Sequence, residues 1–163
     1  IQKFGNGLFL APYSGNGIFF STIPPIESFK RFMGGFKNIK PLSNHDILNL
    51  CQSIPTFKGV FMRDELSNQK QAKNECMVIN YDVSRNVGTH WVCLFTSQRK
   101  SCYFDPFGLT PLPEVELYCN GPREFSSFRI QRPDEVICGH YCVYVLIRMS
   151  RGVPFYDVLT ELI

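Results

Sequence analysis

The chain has 163 residues, enough for one domain with a core that can keep an active site away from water. Aromatic residues make up 14% of it and charged residues only 19%, which argues against a disordered chain and favours a packed globule. The 17 basic and 14 acidic residues leave a formal charge of +3 in scattered short clusters, so charge alone does not predict nucleic-acid binding.

The cysteine content favours a reducing compartment. Seven cysteines is an odd number and none of them forms a Cys-x-x-Cys pair, so neither a zinc ribbon nor a complete disulfide framework is supported. No apolar run reaches about 18 residues and no signal-like segment opens the chain, so we expect neither membrane insertion nor secretion. The chain begins at Ile1 and stops inside the amphipathic run Phe155–Ile163, so we expect a fragment whose C-terminus is truncated.

The first forty residues differ in composition from the rest. Gly5-Asn6-Gly7 recurs as Gly15-Asn16-Gly17 ahead of the Pro24-Pro25 step, and glycine, asparagine and proline at this density favour turns and extended chain. We therefore predict that residues 1–40 are a tail, a linker or a short β-hairpin, and that residues 41–163 form the folded domain.

The middle of the chain predicts one helix and three strands. Ser43-Asn44-His45-Asp46 is a capping-box pattern followed by apolar residues at helical spacing, so a helix is expected over about 44–53. Three apolar runs rich in strand-forming residues follow: Cys76–Tyr81, Trp91–Thr96 and Cys102–Phe104. The turn-like segments that separate them are short, which predicts antiparallel hairpins.

The last third of the chain predicts a short helix, a strand and two further helices. Pro113–Cys119 fits a short helix, and Phe125–Ile130 fits a strand. Cys138–Met149 is apolar nearly all round, as expected of a buried helix, and Pro154 can open a final helix. The expected fold class is α+β, with a small mixed or antiparallel sheet packed by helices.

Cys138 stands where the buried helix is predicted to begin. A thiol attacks a carbonyl only as the thiolate, and the partial positive charge and free N–H groups of a helix N-terminus lower the pKa of a thiol. Gly139 would leave room for a substrate backbone and let local amides point at a developing oxyanion. The alternative is that Cys138 and Cys142, four residues apart, are small core residues.

An imidazole, a carboxylate and an amide stand at the ends of the neighbouring elements. His90 opens one predicted strand and Asp105 ends the next, so antiparallel pairing brings the two together and lets Asp105 orient His90. Gln131 can donate a side-chain N–H to an oxyanion. Each has an ordinary alternative: a structural histidine, a turn aspartate before Pro106, and a surface glutamine. Their conjunction with Cys138 predicts nucleophilic catalysis.

Three segments resemble the adenovirus endopeptidase, adenain, and its Polinton-type and adintovirus relatives, a clan that includes the SUMO-specific proteases. They are Gly88-Thr89-His90-Trp91, Tyr103-Phe104-Asp105-Pro106-Phe107-Gly108, and Gln131 followed by Cys138-Gly139-x-x-Cys142. The resemblance spans Leu42 to Met149. It implies a papain-like, adenain-like cysteine protease fold with the nucleophile at the N-terminus of a buried helix.

The resemblance also implies a role for each of these residues. Cys138 would be the nucleophile of a Cys-His-Asp triad and His90 its general base. Asp105 would orient the base, and Gln131 would be the oxyanion donor. The adenovirus enzyme carries glutamate where this chain has Asp105, a difference that stays within the clan's range.

Substrates and partners follow from the same resemblance. We expect a monomeric endopeptidase that cleaves Gly-containing sites in capsid precursors of a virus or transposon, in the virion or in the host nucleus or cytoplasm. Trp91 and Gly139 are expected to bind substrate, and the chemistry needs no cofactor or metal. The adenovirus enzyme is activated by DNA and by a disulfide-linked peptide. Cys119 lies in a stretch comparable to that of the linked cysteine, with an ordinary half-buried thiol as the alternative.

Phe32-Met33-Gly34-Gly35-Phe36 resembles a cleavage site of the family imperfectly, because Phe32 stands where Met, Ile or Leu is usual. It predicts self-processing between Gly35 and Phe36. Two other functions remain open. One is a protease that removes SUMO or another ubiquitin-like modifier, and the other is a catalytically silent structural module that keeps the fold.

Overall fold

A five-stranded mixed sheet forms the centre of the computed structural model, which describes residues 25–163, with side chains from residue 28 onward. The strands occupy the sheet in chain order: β1 (Phe57–Met62), β2 (Glu75–Asn80), β3 (Trp91–Ser97), β4 (Lys100–Phe104) and β5 (Glu124–Phe125). β1 pairs with β2 in parallel, β3 pairs with both β2 and β4 in antiparallel, and β5 joins β4 in parallel.

Helices cover both faces of this sheet. They are α1 (Pro25–Met33), α2 (Asn44–Cys51), a 3-10 helix (Arg63–Asn68), α3 (Pro113–Cys119), α4 (Cys138–Ser150) and α5 (Phe155–Thr160). α4 lies against β3, and every residue from 139 to 148 is buried. α1, α2 and α5 pack on α4, while α3 and the 3-10 helix pack together on the other face.

The alternation of side chains along the strands produces two cores, one on each face of the sheet. Val78 of β2 and Cys93 of β3 belong to the core on the α4 side. Met77 and Ile79 of β2 point the other way and belong to the core shared with α3 and the 3-10 helix. Because both faces are covered, β2 is buried along its whole length.

Local signals in the sequence set the ends of two helices. The backbone N–H of Asp46 donates to the Ser43 hydroxyl at 3.1 Å, and the backbone N–H of Ser43 donates to the Asp46 carboxylate at 2.9 Å, so the predicted capping box is confirmed. Pro113 is the first residue of α3, where its missing N–H costs nothing. Asn120 ends the same helix in a left-handed conformation, with φ 56°.

The predicted fold class, a small mixed sheet packed by helices, is confirmed. The three central strands and both hairpins lie close to their predicted positions. The predicted strand over Phe125–Ile130 is wrong beyond Phe125, because the backbone N–H of Ile130 donates to the Pro106 carbonyl at 2.9 Å and not to a neighbouring strand. The sequence pattern did not predict β1 or α1.

A domain boundary at residue 40 does not match the structure. The ring of Phe29 in α1 stacks on Tyr141 of α4, with centroids 4.9 Å apart, and Phe32 is only 1% exposed. The folded domain therefore includes α1 and the segment that joins α1 to α2. Residues 1–24, which hold the predicted glycine-rich repeat, lie outside the described residues.

No helix within residues 25–163 is long and apolar enough to cross a bilayer. In the same part of the chain, no group of three or more His, Cys, Asp or Glu side chains is arranged to hold a metal ion. All seven cysteines lie in this part of the chain and are free thiols.

Because Phe32 is buried in contact with Tyr144 and Phe36, Phe32→Ala should lower the free energy of unfolding by about 3 to 5 kcal/mol. Phe128 is 40% exposed and provides a matched control, since Phe128→Ala should change the same quantity by much less. Urea denaturation of both variants measures the difference. Equal losses would show that α1 is not part of the core.

Candidate active site

Cys138 is the first residue of α4 and lies at the N-terminal end, where the helix is only partly buried. Ile137 before it is not helical, and its carbonyl accepts the N–H of Tyr141 at 3.0 Å. The thiol is half-buried, whereas the next ten residues of the helix are fully buried. No acidic side chain stands in the first turn, so the partial positive charge of the helix end acts on the sulfur without a competing carboxylate in that turn.

His90 and Asp105 meet because β3 and β4 pair in antiparallel. His90 immediately precedes β3 and Asp105 immediately follows β4, and the ladder between them pairs Cys93 with Phe104. The His90 Nε2 atom lies 2.7 Å from Asp105 Oδ1, with both residues buried. The predicted contact between the two side chains is therefore present in the structure.

The thiol of Cys138 and the ring of His90 shift each other's pKa in opposite directions. Burial acts to raise the pKa of Cys138, but the hydrogen bond with His90, the backbone at Trp91 and the charge of His90 outweigh burial and lower that pKa. Burial acts to lower the pKa of His90, but hydrogen bonds to Asp105 and Cys138 outweigh it and raise that pKa to about 9. Both shifts favour a thiolate beside an imidazolium.

The hydrogen bond to Asp105 also decides which ring nitrogen serves the thiol. Asp105 holds Nε2, so Nδ1 is the nitrogen left to exchange a proton with Cys138. The same carboxylate oxygen accepts the backbone N–H of Phe107 at 2.8 Å. Asp105 is thus fixed from its own loop as well as by the ring that it orients.

Exposure does not explain why Cys138 differs from the other thiols. Cys102 is also half-buried, but burial and the neighbouring Glu124 carboxylate raise the pKa of Cys102 to about 12. Cys142 is fully buried and its thiol donates to the Trp91 carbonyl at 3.4 Å, which identifies it as a core residue. The lowered pKa of Cys138 therefore follows from its neighbours.

Gln131 is buried close to the Asp105 loop. Its backbone N–H donates to the Pro106 carbonyl at 2.9 Å, and this bond ties the segment before α4 to the loop that follows β4. Its side-chain Nε2 donates to the Glu135 carbonyl at 2.7 Å, which fixes the amide plane. An amide nitrogen carries two hydrogens, so one N–H remains to serve as a donor.

Phe107 and Gly108 are part of the site, although the sequence reasoning gave them no role. The Phe107 ring stacks on His90 with centroids 4.4 Å apart and planes 19° from parallel, and the Arg129 guanidinium lies 4.9 Å from the Phe107 centroid. Gly108 has φ 72°, and a side chain there would overlap the backbone carbonyl of Phe128. A glycine two residues after an Asp-Pro step was the signal for this close approach.

A pocket of about 580 Å³ opens beside Cys138. Its lining carries no charged side chain, and Trp91, predicted to bind substrate, is part of it. The Trp91 ring nitrogen donates to the Leu42 carbonyl at 2.9 Å, so the indole is held in place. Gly139 is buried, and a Cβ atom there would lie 3.2 Å from both Leu42 and Trp91. Its missing side chain makes room for these two residues, and its expected contact with a substrate stays a prediction.

Cys119, the candidate for an activator-linked thiol, ends α3 in the core on the opposite face of the sheet from α4. It is 7% exposed, its thiol donates to the Val115 carbonyl at 3.1 Å, and burial raises its pKa. A disulfide with a peptide needs an accessible thiolate. The structure does not favour this role.

The bond between Gly35 and Phe36 lies in the turn that follows α1. The N–H of Gly35 donates to the Phe32 carbonyl at 3.1 Å, and the Phe36 ring meets His140 edge-on at 4.7 Å. A bond that enters a protease cleft has to be in an extended chain, whereas this one is folded into a turn against the core. The folded structure therefore does not favour self-processing at this bond.

Comparison with known proteins finds solved structures with a similar fold. No family model matches the chain, and no curated protein matches its sequence. Two crystal structures of the ASFV pS273R protease, one of them with selenomethionine, match at TM-scores of 0.57 and 0.58 and at 15% and 13% identity. Each match covers 96% of this chain and 84% of that chain. The chain therefore shares the fold of this protease.

Gly108→Ala should destabilise the protein and lower the reactivity of Cys138, because the new methyl group overlaps the Phe128 backbone and displaces the loop of Asp105 and Phe107. Gly152 is a matched control, since it also has a left-handed φ, 93°, but has nothing within 4 Å of a Cβ atom.

Gly152→Ala therefore carries the backbone strain alone, about 1 kcal/mol, and should leave the thiol reactive. Urea denaturation and the rate of alkylation of Cys138 measure the two effects. If Gly108→Ala behaved like Gly152→Ala in both, the close approach would have no part in the site.

Proposed function

We propose that this protein is a cysteine endopeptidase in which Cys138 is the nucleophile, His90 the general base and acid, and Asp105 the residue that orients His90. The observation that carries the proposal is the buried 2.7 Å hydrogen bond between His90 and Asp105, in a fold that places Cys138 at the start of α4. The opposed directions of the pKa shifts of Cys138 and His90 agree with it. The fold shared with the ASFV pS273R protease supports it.

In the first step the Cys138 thiolate attacks the scissile carbonyl carbon and a C–S bond forms. The carbonyl oxygen becomes an oxyanion, which accepts the free side-chain N–H of Gln131 and a backbone N–H at the start of α4. His90 gives its Nδ1 proton to the leaving amine nitrogen, the C–N bond breaks, and a thioester remains.

In the second step water attacks the thioester. His90, now neutral, takes a proton from the water as it attacks, and a second oxyanion forms at the same donors. The C–S bond then breaks, the acid product leaves, and the thiolate beside an imidazolium is restored. No metal or organic cofactor takes part in either step.

The substrate proposal rests on the resemblance and on the pocket. An uncharged, partly apolar lining beside Cys138 suits small or aliphatic neutral residues, which fits cleavage at Gly-containing sites. We propose capsid precursors of a virus or transposon as substrates, with the adenain-like and Polinton-type enzymes as the related branch. The enzyme would act as a monomer in the virion or in the host nucleus or cytoplasm.

A deconjugating protease is the second candidate, because the SUMO-protease-like fold also accommodates chains that end in Gly-Gly. The two candidates differ in whether the substrate must include a folded protein that binds outside the active-site cleft. A deconjugating enzyme needs the folded modifier, whereas an endopeptidase cleaves a short peptide. The test compares the cleavage rates of a short Gly-containing peptide and of a modifier conjugate that has the same residues around the scissile bond. Equal rates favour the endopeptidase.

The direct test is labelling with a peptide that carries a thiol-reactive electrophile, together with cleavage of the matching peptide. Cys138 should be the labelled residue, and Cys138→Ala should abolish cleavage. Cys102→Ala should cleave like the parent protein, since Cys102 is equally half-buried but has a raised pKa. Gln131→Ala should lower kcat about 10²- to 10³-fold.

Mass spectrometry of the labelled protein and initial cleavage rates give the result. Equal labelling of Cys102 and Cys138, or full cleavage by Cys138→Ala, would contradict the proposed mechanism. The catalytically silent structural module would be favoured by two results together. The parent protein would cut no peptide and no conjugate, and Cys138→Ala would lose the label.

A further inference from the structure

A second pocket, of about 570 Å³, lies at the end of the sheet away from Cys138. The turn between β3 and β4 and the turn after α3 form its walls. Lys100 begins β4 in this pocket, and Asp105 follows the other end of the same strand. Since a strand advances about 3.3 Å per residue, the pocket and the active site are about 15 Å apart along β4 and are separate sites.

Three cations line this pocket: Arg99, Lys100 and Arg123. No carboxylate lines it, and none of the three cations forms an ion pair with any described residue. Three cations with no carboxylate among them give the pocket a positive potential that attracts anions. The pocket beside Cys138, in contrast, carries no charged side chain.

The backbone holds one of these cations in an unfavourable conformation. Arg99 has φ 65° in the two-residue turn that joins β3 to β4, where glycine or asparagine is the usual residue. A left-handed conformation costs a residue with a side chain about 1 kcal/mol. The N–H of Arg99 donates to the Lys73 carbonyl at 2.9 Å, which fixes the turn. Gln98, the other residue of this turn, is left-handed as well, with φ 53°, so the turn sets the direction in which Arg99 leaves the backbone.

The floor of the pocket is polar, uncharged and fixed. The Ser101 hydroxyl is buried, lies 2.8 Å from the Thr96 hydroxyl and accepts the Gln71 side-chain N–H at 3.0 Å. A floor of hydrogen-bonded hydroxyl and amide groups beside three exposed cations suits a compact ligand with several anionic oxygens. A duplex or a long strand would need a positive surface that extends beyond a single pocket.

We propose that this second pocket binds a compact, multiply phosphorylated anion through Arg99, Lys100 and Arg123. The ligand's oxygens accept hydrogen bonds from the two guanidinium groups, which favour paired oxygens, and from the Lys100 ammonium group. Binding places negative oxygens beside three cations that have no carboxylate partner in the pocket. The site is independent of the proposed protease chemistry, because no residue of the pocket contacts Cys138, His90 or Asp105.

Isothermal titration of the whole chain with sodium tripolyphosphate, at constant ionic strength, tests the proposal. Arg99→Gly removes one guanidinium and suits the left-handed turn, so it should leave the unliganded unfolding temperature unchanged or higher. Arg99→Gly and Arg123→Gln should each weaken binding at least about tenfold, since each removes a charged hydrogen bond.

The matched control is the double variant Lys37→Gln, Lys40→Gln, which removes two exposed cations that do not line the pocket. It should bind tripolyphosphate like the parent chain. If the control weakens binding as much as the pocket variants, or if tripolyphosphate does not bind, the proposal fails. An oligonucleotide of equal charge that binds more tightly than tripolyphosphate would also overturn it, in favour of a nucleic-acid surface.

Discussion

The buried hydrogen bond between His90 and Asp105 is the contact on which the candidate site depends. It closes the open end of the β3–β4 hairpin, and it takes one ring nitrogen so that the other is left for Cys138. A buried carboxylate beside the ring also offsets the burial that would otherwise keep His90 neutral. His90 in turn is among the causes that lower the pKa of Cys138, whereas burial and Glu124 raise the pKa of Cys102.

The residues of the site come from separate segments, and backbone hydrogen bonds hold those segments together. The Pro106 carbonyl accepts the N–H groups of both Ile130 and Gln131, so the loop that carries Asp105 is tied to the segment that carries Gln131. Gly108 allows the approach that places Phe107 on the imidazole ring. Strand pairing places His90 and Asp105, the start of α4 places Cys138, and backbone contacts outside the helices and strands place Gln131 and Phe107.

Much of the fold could be predicted because its signals are local. The Ser43 capping box, the hairpins and the apolar run of α4 each lie within one stretch of sequence. The His90–Asp105 contact followed from the order of two paired strands. α1 could not be predicted, because its stability comes from Phe29 and Phe32 packing on a helix more than a hundred residues away. The packing role of Gly139 was missed for the same reason, since Leu42 and Trp91 are distant in sequence.

The most direct measurement of the central claim is an NMR titration of the histidine ring nitrogens in ¹⁵N-labelled protein. The account predicts that His90 holds its second proton up to a pKa of about 9, while burial lowers the pKa of His140 to about 4. In Cys138→Ala the pKa of His90 should fall, because the ring loses the thiolate partner. A His90 that titrates near 6.5 in the parent protein, with no change in Cys138→Ala, would contradict the account.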